Sequence, residues 1–162
     1  MNEILKGYII FCVVLISIVA IFALYFENPP MRIVADGEHA KIIREALEKT
    51  DKNATSHITS ITVVNDLNLL SRMGCMKLDK TVWGCAATSY NKSNMNSFEV
   101  EIYLPSRELL KGTCGTFENT LYHEIGHVVY FQKYGNAGTY QIDQEPYAVS
   151  YANQFAKDKC KR

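Results

Sequence analysis

The chain has 162 residues, enough for one compact domain with an appendage and too few for two domains with independent cores. Its 17 basic and 17 acidic residues cancel, which argues against the basic surface of a nucleic-acid-binding protein and against the charge excess of a disordered one. Function must be carried by local features.

The first of these is Tyr8 to Phe26, an uncharged run bounded by Lys6 and Glu27. As a helix it would be about 28 Å long at ~1.5 Å per residue, close to the hydrocarbon thickness of a bilayer. A single-pass transmembrane anchor is expected, in preference to a cleaved signal peptide or a buried core helix, since the run is long for a leader and has no polar face. Its orientation rests on opposing signals. Arg32, Lys41 and Arg44 favour a cytosolic domain. Against them, Cys75, Cys85, Cys114 and Cys160 form an even set that permits three pairings, Cys75–Cys85 with Cys114–Cys160 among them, and Asn53-Ala54-Thr55 and Asn91-Lys92-Ser93 are glycosylation sequons. The extracytoplasmic side is favoured.

Glu27-Asn28-Pro29-Pro30 breaks the helix, because tandem prolines lack amide donors. Residues 1–30 thus read as anchor and linker, and residues 31–162 as the functional domain. Met31 to Ala35 reads as a strand, and Glu38 to Thr50 as a helix with Ala40, Ile43, Ala46 and Leu47 on one face. His57 to Val64 is β-branched and strand-like, followed by a less regular stretch through Leu70 and Met73. Thr81 to Ser89 is a weaker strand candidate, and polar Tyr90 to Ser97 suits an exposed loop. From Ser97 to Pro105, Phe98, Val100, Ile102 and Leu104 alternate with wetter residues, as in a half-buried strand. Thr116 to Tyr134 reads as a helix capped by Thr116 and ended by Gly135, and Glu145 to Lys159 as a last helix with Pro146 in its first turn.

The first of these two helices contains His123-Glu124-Ile125-Gly126-His127. Histidines four apart share one helix face and can grip one zinc ion, while Glu124 flanks the metal without ligating it. Zinc lowers the pKa of a coordinated water, and a neighbouring carboxylate can take that water's proton as it attacks a carbonyl. Leu121, Tyr122, Ile125, Gly126, Val128 and Val129 are uncharged, as a helix buried beside a metal requires. The third ligand must come from elsewhere. The metzincin pattern is excluded, since Tyr130 and Lys133 occupy its glycine and histidine positions. Glu145 opens the downstream helix, and Ala148, Ala152 and Ala156 form a small-residue stripe that would let two helix backbones approach closely. Asp143 is the substitute ligand. His39 and His57 have no metal-ligand spacing to each other and read as surface or core residues.

His123-Glu124-Ile125-Gly126-His127 followed by Glu145-Pro146-Tyr147-Ala148 resembles the gluzincin branch of the zincin metallopeptidases, most of all the small minigluzincins. The resemblance covers Thr116 to Ala156. It implies an α+β fold, here an N-terminal transmembrane helix followed by a compact zincin-like domain with a small mixed sheet, a backing helix, an active-site helix and a glutamate helix. It further implies a Zn2+ cofactor, hydrolysis of a peptide or protein substrate, His123, His127 and Glu145 as ligands, and Glu124 as general base and acid. Many gluzincins carry Asp four positions after the third ligand, where this chain has Val149. Zincins also resemble one another in pairing substrate with an edge strand, for which Ser97 to Leu104 is the candidate, and Tyr140 or Tyr147 could donate to the oxyanion. The expected protein is a membrane-anchored zinc metallopeptidase. The alternative is an inactive zincin-fold binding module on the same anchor.

Overall fold

The computed structural model describes residues 3–27, 30–72, 84–91, 94–110, 116–135 and 143–155. The chain separates into two units, Met1–Pro30 and Met31–Arg162.

The first unit contains helix α1, Glu3–Glu27. Its described side chains run from 7 to 21 and are all exposed. Among the described residues no helix is long and apolar enough to cross a membrane. This corrects the expectation of a transmembrane helix over Tyr8 to Phe26, and with it that of a single-pass membrane localisation with an extracytoplasmic domain.

The second unit is a mixed α/β domain. In chain order it contains β1 (Arg32–Val34), α2 (Gly37–Lys49), α3 (Lys52–Thr55), β2 (Ile58–Val64), α4 (Leu67–Arg72), β3 (Cys85–Asn91), β4 (Asn94–Pro105), α5 (Phe117–Tyr134) and α6 (Gln144–Phe155). The sheet order is β1-β2-β4-β3, with β1 and β4 parallel to β2 and β3 antiparallel to β4. Alternation along β4 splits its two faces as the pleat requires. Val100, Ile102 and Leu104 are fully buried in the main core, where they join Ile43, Ala46 and Leu47 of α2 and Leu121 and Ile125 of α5. Tyr103 turns to the opposite face and packs with Val64, Cys85 and Leu70 of α4.

Two expectations change here. Ser97 to Leu104 lies in a strand flanked by β2 and β3, so its backbone groups are already used in the ladder and it offers no edge to a substrate. Among the described residues β3 is the edge beside α5. The second change concerns Tyr90 to Ser97, expected as a loop, which is largely the paired tip of the β3–β4 hairpin, with Tyr90 opposite Phe98 and Asn91 opposite Asn94. The irregular stretch before it contains α4, and Asp51 caps the unanticipated single-turn α3 by accepting from the Asn53 N–H.

The caps on the longer helices explain where they begin and end. Thr116 accepts from the Asn119 N–H at the start of α5, and Gly135, at φ 71°, closes it with its own N–H donated to the Phe131 carbonyl. Asp36 caps α2 by accepting from the His39 N–H, and its second oxygen lies 2.7 Å from His39 Nδ1. The Arg107 N–H donates to His39 Nε2, so Nδ1 carries the proton and gives it to Asp36. His39 is thereby a buried core residue that ties α2 to the segment after β4. Cys85 is disulfide-bonded. Cys75, Cys114 and Cys160 lie outside the described residues, and both expected pairings with them.

Candidate metal centre

Helix α5 is buried along most of its length, as a run free of charge between Leu121 and Val129 requires once Glu124 and the histidines are set aside. Its close partner is α6. A Cβ added at Gly126 would lie 2.9 Å from the Ala148 Cα, 3.1 Å from the Tyr151 Cβ and 3.2 Å from the Ala148 oxygen. The helices therefore touch backbone to backbone at Gly126 and Ala148, and Ala148 and Ala152 are buried in the contact. Ala156 lies outside the described residues.

This approach brings the first turn of α6 over one face of α5. His123 Nε2 and His127 Nε2 are 3.1 Å apart. One oxygen of Glu145 is 3.4 Å from His123 Nε2, and the other is 3.8 Å from His127 Nε2. Donors around a tetrahedral zinc, at ~2.0–2.1 Å from the ion, stand about 3.3 Å from one another. The three separations bracket that value, and the donor set of two imidazoles and a carboxylate is one zinc accepts. The residues fit the metal.

Glu124 lies next along the helix and is 4% exposed. Donor atoms of His123, Glu124 and His127 also fall within 4.8 Å of one another, so a trio containing Glu124 can be drawn. The two Glu145 oxygens face the two Nε2 atoms, whereas an oxygen of Glu124 is turned toward the sheet. There its carboxylate meets Gly84: a Cβ added at Gly84 would be 2.7 Å from Glu124 Oε1 and 3.0 Å from both Glu124 Cγ and Thr120 Cγ2. Thr120 and Glu124, four apart, line the side of α5 that faces the start of β3.

The other expected residues sort as follows. Asp143 is exposed, and its carbonyl accepts the Tyr147 N–H at the head of α6. The Tyr147 ring packs against Tyr130 and Tyr134, with centroids at 5.5 Å and 6.1 Å, and Tyr140 lies outside the described residues. Val149 lines, with Glu145, Pro146, Ser150 and Asn153, an open groove of about 570 Å³. His57 stacks on Phe98 at 4.1 Å, away from the histidine pair in sequence and element. Gly84 was not singled out by sequence reasoning, although a glycine at a strand end often marks a close backbone approach.

No protein family, curated protein or solved structure matches the chain. Geometry and chemistry must carry the functional reading unaided.

Proposed function

We propose that the chain is a zinc-dependent metallopeptidase of the gluzincin kind, acting on extended peptide segments. The observation that supports this best is the convergence of His123 Nε2, His127 Nε2 and the Glu145 carboxylate at separations of 3.1, 3.4 and 3.8 Å, with a second, buried carboxylate on the adjacent residue. A site that only stored a metal has no use for that second carboxylate.

Bound zinc would supply a Lewis acid that polarises the scissile carbonyl and acidifies an attacking water. His123 and His127 offer neutral imidazole nitrogens, and Glu145 offers negative charge, so the three together balance part of the ion's charge. Glu124 takes the proton of the water as it attacks and returns it to the departing amine. Its burial keeps that carboxylate out of bulk solvent, where a hydrogen-bonded base is less effective. The outer edge of β3, from Gly84 to Ser89, runs past Glu124 and offers backbone donors and acceptors to an extended chain. The groove beside Glu145 would take a flanking side chain.

The test is cleavage of a fluorescently labelled unfolded casein by the full chain with zinc, against a Glu124→Gln variant. Hydrolysis by the wild type, lowered in the variant by on the order of 10²–10⁴-fold, is expected of a lost general base. Equal rates in both would refute the assignment of Glu124. Zinc binding without hydrolysis in either would favour the non-enzymatic binding module.

A further inference from the structure

In the antiparallel register Cys85 lies opposite Tyr103 and Ala86 opposite Ile102. Continuing it by one residue sets Gly84 opposite Leu104, on the face that carries the buried core and α5. The start of the edge strand is thus laid directly against the side of α5 that bears Thr120 and Glu124.

The contact is closer than a side chain allows. A Cβ at this position would meet Glu124 Oε1 at 2.7 Å, a separation that forces one of the two to move. The partners differ in how easily they give. The Thr120 methyl and the Glu124 Cγ, both at 3.0 Å, need shift by only a few tenths of an ångström, whereas the carboxylate tip must leave its place. A Glu side chain swings its tip at small cost, so the strain would be discharged by rotating the carboxylate and not by moving the strand. The fold survives such a change. The position of the base does not.

We infer that Gly84 is a positioning residue for Glu124: its missing side chain makes the space that the carboxylate occupies, and its backbone is the wall that stops the carboxylate from swinging further toward β3. This rests on Glu124 being the proton acceptor of the proposed reaction. It adds a determinant outside both helices, and it couples the strand that would receive substrate to the group that would activate water.

The experiment compares Gly84→Ala with wild type as the full chain, in the Glu124 and Glu124→Ala backgrounds, reading zinc content, Tm, and kcat and KM on labelled casein. Zinc content should be unchanged, because the atoms nearest a Cβ at Gly84 belong to Glu124 and Thr120 and not to His123, His127 or Glu145. The Tm should fall by about 2–6 °C in the Glu124 background, as an off-rotamer side chain costs. In the Glu124→Ala background the same substitution should cost less than half as much, the remainder being contact with Thr120. The kcat should fall on the order of 10²-fold with KM within about threefold, as expected when a reacting group is displaced by an ångström. An equal Tm cost in both backgrounds, an undiminished kcat in active enzyme, or failure of Gly84→Ala to fold in both backgrounds would overturn the assignment. If wild type cleaves nothing, the peptidase reading fails, and the Tm comparison alone decides whether Gly84 positions Glu124.

Discussion

Glu145 reaches the histidine pair from another helix, with one oxygen turned to each Nε2, and its removal is the most informative single truncation. Loss of a group that merely orients a metal ligand costs about 10–100-fold in affinity. Glu145→Ala should weaken zinc binding by more than that, measured by competition with a chromophoric chelator, and an unchanged affinity would move the third donor elsewhere. Asp143→Ala, in the same titration, should leave affinity near wild type. A second residue-scale prediction concerns Asp36, whose carboxyl is held below its ordinary range first by the His39 backbone N–H and then by the His39 ring. A depressed folded-state pKa contributes stability above the unfolded value of about 3.8, lost as pH falls through the lower folded value. Asp36→Asn should therefore narrow the stability gap between pH 6 and pH 3 in denaturant titrations, and an identical gap would remove the cap–histidine pair from the acid response.

At the scale of elements, the α5–α6 contact brings Glu145 to His123 and His127. A methyl at Gly126 would meet the Ala148 backbone at 2.9 Å, and backbone cannot rotate away as a carboxylate can. Gly126→Ala should cost about 1–3 kcal/mol from overpacking, against at most ~1 kcal/mol gained in helix propensity, and should also weaken zinc binding by displacing Glu145. Chemical denaturation and zinc titration check the two effects, and wild-type values in both would show that the helices do not meet there. Much of this element was legible in the sequence. The capping threonine, the terminal glycine and the uncharged face announced α5, because each reports a local requirement of a buried helix. The alanine stripe hinted at close packing for the same reason. Pairing was less legible. Phe98, Val100, Ile102 and Leu104 announced a strand with one buried face, but alternation says nothing about how many neighbours a strand has, and β4 lies inside the sheet. Short α3 and α4 were missed because one or two turns leave too few residues for a period to register. Gly84 was invisible as a site residue, since its meaning depends on a register contact with a helix more than 30 positions away.

For the whole molecule, the metal and the fold should be linked. His123, His127 and Glu145 come from two helices that close on each other, so an ion held between them would bind the folded unit and not the unfolded chain. At zinc 100-fold above its Kd the gain is about 2.7 kcal/mol, or roughly 10 °C in Tm for a unit of this size. Thermal denaturation with zinc and with excess chelator should show that difference, and coincident curves would detach the metal from the fold. The apolar segment near the amino terminus teaches a different lesson. Tyr8 to Phe26 has the composition of a span, yet among the described residues no helix has both the length and the apolarity to cross a membrane. Composition alone could not decide that.

The central claim is a zinc ion held by His123, His127 and Glu145, and X-ray absorption at the zinc edge of the purified full chain tests it most directly. One zinc per chain is expected, with only nitrogen and oxygen scatterers at about 2.0–2.2 Å and the signal abolished in His127→Ala. Sulfur scatterers near 2.3 Å, or an unchanged spectrum in the variant, would contradict it.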